Sequence, residues 1–490
     1  MLKSKNILSL AFLILAIALN GCTATGSYNS FKTDRKILIG DGARKAFQYE
    51  GLERHPVIVI PGIFGSRLVD SESKRIVWGL FTGKEMIQNF SPKQIQLLAL
   101  PMAGGESLSE LRDTVFPAGV LERVSVRLLG LPIHVNGYKD MIDGLAFAGY
   151  HGDASENGTD VKYQTCFTFG YDWRRDIVDT AKQLDVFIQE KKKYLQKKYE
   201  ELYGVKDYDV KFDIVAHSMG GLITRYYLRY GGEALPQDGS LPAVTWKGAK
   251  NVRKAIIVGT PNAGYLDAFT ELVEGMLFAP GAPKIQPAVL GTFPSLYEMM
   301  PPASLGMVVR DKNTDEKVDL YDPELWIQMR WGLADPKQDK VLGTILPDVK
   351  SSEKRREVAL DHLRKCLKRA NQFTDAMRGD QAPPQGTTLH LFLGESILTN
   401  AVASLNEKTG KLKVIKQLPG DGKVTANSAL FNERPVEDPR PFMKSPIHWS
   451  SVTFLFAAHM GITSDPVFVS NMLYALLLEA SERSVSQSNP

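Results

Sequence analysis

The stretch FDIVAHSMGGL, residues 212–222, decides the fold of this chain. Its apolar first half is typical of a buried strand, and a helical pattern over residues 219–230 follows directly. Ser218 stands at the junction, with the small residues Ala216 and Gly220 two positions away on either side. Small neighbours are needed where a serine occupies a strained, sharp turn between a strand and a helix. The pattern therefore predicts a nucleophile elbow; a serine that only caps the helix is the alternative.

Strand-like runs alternate with helical patterns through much of the chain. Strands are predicted at residues 56–60, 164–169, 210–216, 252–258, 389–393 and 452–458, and helices at residues 137–150, 176–203, 219–230 and 466–482. The strands are continuous apolar runs, which is typical of strands that are covered on both faces. The alternation predicts an α/β fold with a mostly parallel sheet flanked by helices.

Two long stretches, residues 67–135 and 264–386, break this alternation. Connections inside an α/β core are usually short, so both are predicted to be insertions of the kind that build lids and pockets. The prediction is a first core part (51–263, with the first insertion inside it), a cap or lid (264–386) and a second core part (387–485). Large apolar residues that could cover a lipid site or form the core of the cap itself are Met299, Met300, Trp326, Met329 and Trp331.

A nucleophilic serine needs a base, and after an elbow of this kind the acid and the histidine follow in the chain. The histidines beyond the elbow are His362, His390, His448 and His459. His459 lies between the last predicted strand and the final helix, where the base is expected, and His448 is the alternative. Asp421 stands between glycines in the turn PGDGKV, where an aspartate that only shapes a hairpin is the alternative. We predict that Asp421 orients His459, which deprotonates Ser218.

The oxyanion of an acyl-transfer reaction also needs hydrogen-bond donors. The loop PGIFG, residues 61–65, follows the first strong strand and can offer the backbone N–H of Ile63. The N–H of Met219 directly follows the nucleophile. Such a donor typically contributes about 3–4 kcal/mol in the transition state.

The first 22 residues carry a targeting pattern. Two lysines precede an apolar run over residues 7–19, which is too short for a comfortable membrane span and typical of a signal peptide. The run ends in LNGC, which resembles a bacterial lipobox. We predict a signal peptide (1–21), a lipidated Cys22 and a tether (22–50) that anchor the protein to a bacterial membrane. Because no aspartate follows the cysteine, the outer membrane is favoured, facing the periplasm or the cell surface; a chance cysteine after an ordinary signal peptide is the alternative.

Composition excludes several classes of protein. Over 490 residues the net charge is +4, too small to argue for a nucleic-acid partner. Three cysteines cannot form a disulfide scaffold, although Cys166 and Cys366 could pair in an oxidising periplasm. The eight histidines are scattered without an HExxH motif, so neither a metal nor a cofactor is predicted.

Several motifs together resemble the lecithin:cholesterol acyltransferase family, which includes lysosomal phospholipase A2 and phospholipid:diacylglycerol acyltransferases. In chain order they are PVIVIPGIFGSRL (56–68), YDWR (171–174), AHSMGG (216–221), GTPNAG (259–264), GDGKV (420–424) and His459. The resemblance implies an α/β-hydrolase fold with a cap and lid, and it implies the same triad and oxyanion hole. It also implies that Asp172 and Trp173 shape the floor of the site, in a structural or a substrate-positioning role rather than a catalytic one. Residues 67–135 contain no cysteine, so the family's disulfide-closed membrane loop has no counterpart here.

The resemblance further implies attack on the acyl esters of glycerophospholipids. Ser218 would take an acyl chain, and water or an alcohol would then take it from the acyl-enzyme. The predicted partners are a phospholipid membrane surface, a lipid acyl donor and an alcohol or sterol acceptor. The triad does not distinguish a phospholipase from an O-acyltransferase. A general carboxylesterase or lipase, a non-catalytic lipoprotein and an amidase or peptidase are the alternatives.

Overall fold

A computed structural model gives the fold of the chain. It describes residues 49, 51–79, 91–128, 131–152, 162–277, 284–433 and 443–486, without the side chains of residues 123–128, 131–136 and 478–486. The predicted signal peptide, Cys22 and the predicted tether lie outside these residues, apart from Tyr49.

The described residues form fifteen strands and twelve α-helices. The strands are β1 (Val57–Ile60), β2 (Ser66–Asp70), β3 (Ile76–Trp78), β4 (Val115–Val120), β5 (Arg123–Leu128), β6 (Leu131–Asn136), β7 (Cys166–Thr168), β8 (Phe212–His217), β9 (Val252–Val258), β10 (Val308–Arg310), β11 (Asn313–Lys317), β12 (Thr388–Gly394), β13 (Ile397–Asn406), β14 (Lys411–Gly420) and β15 (Ser451–Leu455). The α-helices are α1 (Pro92–Leu98), α2 (Lys139–Phe147), α3 (Ile177–Tyr203), α4 (Met219–Tyr230), α5 (Leu266–Glu274), α6 (Pro287–Leu290), α7 (Pro294–Glu298), α8 (Pro323–Met329), α9 (Asp339–Ile345), α10 (Ser352–Met377), α11 (Ala426–Leu430) and α12 (Pro466–Ser486).

The central sheet has six strands in the order β15-β12-β9-β8-β1-β7, and every neighbouring pair is parallel. Each of the six strands predicted from the sequence is present, and α4 has its predicted bounds. The last strand ends at Leu455, three residues before the predicted end, because the chain leaves the sheet for the loop that carries His459. In a parallel sheet the carboxyl ends of the strands meet at one edge, and ligands bind there.

Alternate side chains of the strands pack on opposite faces of this sheet. In β1, Val57 and Val59 pack with residues of α2 and α12 on one face. Ile58 and Ile60 pack with residues of α3 and α4 on the other. Burial on both faces explains why the strand is a continuous apolar run rather than an alternating one.

A second, four-stranded sheet belongs to the cap and has the order β11-β10-β13-β14. Strand β10 pairs with β13 in parallel and with β11 antiparallel. Residues 397–420, predicted to be part of the second core part, therefore share a sheet with residues 308–317 of the predicted cap. The sequence pattern could not show this pairing, because the partners of distant strands are set by tertiary contacts.

The large apolar residues of the predicted cap pack on one another and belong to the same buried cluster as one face of the central sheet. Trp326 and Trp331 pack edge to face on Phe269, with ring centroids 5.7 and 5.0 Å away. Met299, Met300 and Met329 are also buried. Of the two roles open from the sequence, the structure gives these residues the packing role.

The first insertion forms a three-stranded sheet in the order β3-β2-β4, helix α1 and the β5–β6 hairpin. None of the helices in the described residues is long and apolar enough to cross a membrane. The parallel sheet with helices on both faces and a serine turn after β8 is the α/β-hydrolase fold, as the sequence predicted.

Candidate active site

Ser218 forms the sharp turn between β8 and α4. Its backbone has φ 53° and ψ −124°, a conformation that a non-glycine residue holds only when its surroundings impose it. A Cβ on Gly220 would lie 2.6 Å from the Pro61 carbonyl oxygen, and a Cβ on Gly221 would lie 2.0 Å from Thr260 Oγ1. The glycines after the serine are therefore required by close packing, as the elbow pattern predicted.

Three side chains from distant parts of the chain form one hydrogen-bonded series. His459 Nε2 lies 3.0 Å from Ser218 Oγ, and His459 Nδ1 lies 2.8 Å from Asp421 Oδ2. Because the ionised carboxylate can only accept, Nδ1 carries a proton and Nε2 is free to accept the serine proton. This is the arrangement in which a serine acts as a nucleophile and a histidine as its base.

The turn after β14 fixes the carboxylate of Asp421. Its Oδ1 accepts hydrogen bonds from the backbone N–H groups of Lys423 (2.9 Å) and Val424 (2.7 Å). Burial opposes the charge on Asp421, but His459 and these N–H groups outweigh it and hold the pKa of the carboxyl below its usual value. Asp421 therefore stays ionised and can stabilise an imidazolium on His459.

The loop that carries Ile63 lies directly against the nucleophile. A Cβ added to Gly62 would lie only 2.7 Å from the Cβ of Ser218. Within the described part of the chain, the backbone N–H groups of Ile63 and Met219 make no hydrogen bond to protein. Both predicted donors are thus available to an oxyanion beside Ser218.

The YDWR motif holds this loop at both ends. The hydroxyl of Tyr171 donates to the carbonyl of Pro61 (2.7 Å), and Trp173 Nε1 donates to the carbonyl of Ser66 (3.1 Å). Both Trp173 and Asp172 are buried. They were predicted to have a structural or substrate-positioning role. The structure shows Trp173 supporting the oxyanion loop, and direct contact of either residue with a substrate stays a prediction.

Asp172 is part of a buried ion network that attaches the first insertion to the core. It pairs with Arg174 (2.7 Å) and Arg175 (3.1 Å), and Arg174 also pairs with Asp113 of the insertion (2.7 Å). Arg174 further donates to the carbonyls of Leu97 (3.0 Å) and Leu98. Burial opposes the charge on Asp172, yet the two arginines hold the pKa of its carboxyl below the usual value.

The other candidate histidines lie elsewhere. His448 pairs with Asp380 at the surface (2.8 Å), so the alternative base is not in the triad. His362 is buried, with Nε2 3.2 Å from the Thr292 carbonyl oxygen. His390 contacts the hydroxyls of its neighbours within the sheet.

Two residues that sequence reasoning missed lie beside the triad. His217 precedes the nucleophile, and its ring centroid is 4.9 Å from that of His459. Burial, reinforced by the neighbouring His459, lowers the pKa of His217 to about 3. Its Nδ1 lies 2.9 Å from the hydroxyl of Tyr138. The position of His217 within the elbow was a usable signal, whereas nothing in the sequence marks Tyr138.

Cys166 and Cys366 are both buried free thiols. They do not form the disulfide that the sequence left open. Burial raises the pKa of the Cys166 thiol to about 12, which makes it an inert apolar group in β7. Among the described residues, no group of three or more His, Cys, Asp or Glu side chains could hold a metal ion.

Comparisons with known proteins agree with the motifs. Residues 133–330 match the family model of lecithin:cholesterol acyltransferase. No curated protein matches the chain. Among solved structures, a chain of the Tle4–Tli4 complex is 15% identical with a TM-score of 0.48, and the alignment covers 87% of this chain and 98% of that one. The Staphylococcus hyicus lipase is 12% identical with a TM-score of 0.31, covering 90% of this chain and 100% of that one.

EstA from Clostridium botulinum is also similar, at 12% identity and a TM-score of 0.28, with 87% of this chain and 88% of that chain covered. The fold assignment rests on the sheet and the serine turn rather than on these likenesses. The family match itself supports a lipid-ester hydrolase or acyltransferase in general. Residues 133–330, with Ser218 in their elbow, thus match the family model of lecithin:cholesterol acyltransferase within an α/β-hydrolase fold, which confirms the resemblance that the motifs indicated.

Proposed function

We propose that this protein takes an acyl chain from a phospholipid onto Ser218 and passes it to water or to an alcohol. The observation that carries the proposal is the hydrogen-bonded series Asp421–His459–Ser218 beside two available backbone N–H groups. The family match over residues 133–330 supports a lipid ester as the class of substrate.

In the first half-reaction, Ser218 Oγ attacks the ester carbonyl carbon while His459 Nε2 takes the serine proton. The carbonyl oxygen becomes an oxyanion and accepts hydrogen bonds from the N–H groups of Ile63 and Met219. When the tetrahedral intermediate collapses, the bond to the lysophospholipid oxygen breaks and that oxygen takes the proton from His459. The acyl chain is left as an ester on the serine.

The second half-reaction repeats these steps with a new nucleophile. Water or an alcohol gives its proton to His459 and attacks the acyl-enzyme, and the same two N–H groups stabilise the oxyanion. Collapse returns the proton to Ser218 and releases a fatty acid or a new ester. The acceptor therefore decides whether the enzyme is a phospholipase or an O-acyltransferase.

Exposed apolar side chains next to the triad support a phospholipid surface as the partner. Phe456 is 83% exposed and Met460 is 51% exposed, and both lie in the loop that carries His459. Leu398 is 67% exposed, and its neighbour Ile397 forms a bridge with Asp421. Large exposed apolar groups around an active site are typical of a membrane or lipid contact. A lipid anchor on Cys22 would keep this face near the bilayer.

The test uses the purified full chain with phosphatidylcholine or phosphatidylethanolamine vesicles, with and without a long-chain alcohol or a sterol. Mass spectrometry follows every acyl product. Free fatty acid alone makes the protein a phospholipase, whereas new ester that rises as free acid falls makes it an acyltransferase. Ser218→Ala should abolish both products without unfolding the protein, and Ser470→Ala, at a half-buried serine on α12, should change neither.

Either of two outcomes would overturn the proposal: full ester cleavage by Ser218→Ala, or no product from any lipid. Cleavage of short water-soluble esters alone would favour the carboxylesterase alternative. A variant with Phe456→Ser and Met460→Ser should lose rate on vesicles while keeping its rate on a soluble ester. Tyr474→Ser, which removes an equally exposed aromatic ring from α12 (64% exposed), is the matched control.

A further inference from the structure

A series of buried hydrogen bonds connects the oxyanion loop to the main chain of the triad histidine. The backbone N–H of Gly62 donates to the hydroxyl of Tyr138 (2.8 Å). That hydroxyl lies 2.9 Å from His217 Nδ1, and His217 Nε2 lies 3.1 Å from the backbone carbonyl oxygen of His459. Tyr138 and His217 are both buried.

The direction of each bond follows from the groups at the two ends. A carbonyl oxygen only accepts, so His217 Nε2 carries the proton and donates to His459. Since burial keeps His217 neutral, Nδ1 has a lone pair and accepts from Tyr138. Burial also raises the pKa of the Tyr138 phenol, which stays protonated and able to donate. The hydroxyl oxygen then accepts from Gly62, so every member of the series is satisfied.

This series and a hydrogen bond within the loop together hold Gly62, the residue before the first oxyanion donor, on both sides of its Cα. The N–H of Gly62 is held by Tyr138, and the carbonyl of Gly62 accepts from the N–H of Gly65 (3.1 Å). The peptide between Gly62 and Ile63 is planar, and its N–H points opposite to its carbonyl. Holding the carbonyl of Gly62 therefore also sets the direction of the Ile63 N–H.

At its other end the series holds the main chain of the triad base. The backbone N–H of His459 donates to the carbonyl of Asp421 (2.8 Å), and its carbonyl accepts from His217. The main chain of His459 is thus bonded on both sides of its Cα. A neutral His217 does so without placing a positive charge beside the imidazolium that forms on His459.

We propose that Tyr138 and His217 are positioning residues that couple the oxyanion loop to the triad histidine, so that the two halves of the site keep one geometry. The proposal rests on the proposed acyl-transfer function. Neither residue touches the reacting atoms; both act through Ile63 and His459. Small displacements of reacting groups can lower a rate by roughly a hundred-fold, which makes the coupling measurable.

The test compares Tyr138→Phe with Tyr150→Phe on a soluble chromogenic ester. Tyr150 is buried in the same apolar cluster but lies outside the hydrogen-bonded series, with its ring against the Arg54 guanidinium (4.9 Å). Tyr138→Phe should lower kcat by roughly ten-fold or more with KM changed less than about two-fold, because geometry and not binding is lost. Tyr150→Phe should leave both unchanged.

A second set of variants changes His217, so that the coupling can still be tested if Tyr138→Phe does not fold. His217→Leu should lower kcat as Tyr138→Phe does, and His217→Gln, which can still donate and accept, should restore part of the rate. The double variant Tyr138→Phe with His217→Leu should be no slower than either single variant, because both interrupt one series. Thermal melting checks that each variant is folded.

Three results would overturn the coupling: an unchanged kcat for Tyr138→Phe, no rescue by His217→Gln, or additive losses in the double variant. Covalent labelling of wild-type Ser218 by a fluorophosphonate separates this from failure of the function itself. If the wild type is not labelled and cleaves no ester, the proposed function fails. If it is labelled and Tyr138→Phe is labelled equally fast, the coupling alone fails.

Discussion

The two halves of the proposed active site are built by different means. The nucleophile half, Ser218 with Met219, lies within one continuous stretch between β8 and α4 and is held by backbone strain and close packing. The acid–base half joins Asp421 to His459, which are 38 residues apart and come from loops after two different sheets. Hydrogen bonds between these loops hold it, including that from the N–H of His459 to the carbonyl of Asp421.

The two halves should be sensitive to different kinds of substitution. A strained turn fails when a larger side chain enters it, since a packed core cannot move aside. A hydrogen-bonded pair of loops fails when a donor, an acceptor or a charge is removed. Substitutions chosen on this basis should separate the two halves.

The largest effect is expected from Asp421→Asn. The amide would still accept from the backbone at one atom but would present N–H groups to His459, which favours the wrong tautomer of the base. We expect kcat to fall by roughly 10⁴-fold with little loss of stability. Asp380→Asn is the matched control, because Asp380 also pairs with a histidine, at the surface. Ester-cleavage kinetics that remain near wild type for Asp421→Asn would remove it from the triad.

Gly62→Ala tests the packing of the nucleophile half. The new Cβ would lie 2.7 Å from the Cβ of Ser218, so the oxyanion loop has to retreat. We expect roughly a hundred-fold loss of kcat, comparable to loss of one oxyanion donor. Gly104→Ala is the control, since a Cβ there would meet no described atom within 4 Å. Equal steady-state kinetics for the two variants would contradict the close approach.

Lys423→Met tests how the acid turn is attached to the cap. Lys423 pairs with Glu271 (2.7 Å) and Asp267 (3.4 Å) on α5. The two carboxylates are mostly buried, whereas Lys423 is 44% exposed. The substitution should therefore lower the free energy of unfolding by about 2 kcal/mol, less than the loss of a fully buried pair would. Urea unfolding measures it, with Lys247→Met, which breaks an exposed pair with Glu233, as the control. Equal losses in the two variants would mean that the cap attachment contributes no more than a surface pair.

The last prediction concerns the pH dependence of stability. Burial lowers the pKa of His217 to about 3 and that of His362 to about 4, below the value of about 6.5 expected in the unfolded chain. The unfolded state therefore binds more protons below pH 6.5, and stability falls on acidification until the folded pKa is reached. Within that pH range each histidine should lower the free energy of unfolding by about 1.4 kcal/mol for each pH unit of acidification.

Urea unfolding of His217→Gln at pH 6 and pH 4 should show a smaller loss of stability than in the wild type. His448→Gln, which replaces an exposed histidine by the same residue, is the comparison variant. A slope unaltered by His217→Gln would mean that this histidine is not held neutral in the fold.

The core of the fold was predictable because its signals are local. A strand that is buried on both faces must be apolar throughout, and the turn at Ser218 accepts only small neighbours, so both leave a trace in a few consecutive residues. The cap was less predictable. Its tryptophans and methionines could have covered a lipid or packed together, and the pairing of β10 with β13 depends on residues about 95 positions apart.

The sequence by itself determined the strand–helix order, the elbow at Ser218 and the candidates Asp421 and His459, because each depends on neighbours along the chain. The tertiary contacts were needed to see that His459 rather than His448 faces the serine and that Cys166 and Cys366 stay unpaired. They also show that Trp173 supports the oxyanion loop, whereas Asp172 belongs to the ion network that attaches the first insertion to the core. The hydrogen bond from Gly62 of that loop to Tyr138 is likewise visible only in the tertiary structure. Distances between remote residues follow from how the sheet edges and loops pack, and no local pattern encodes them.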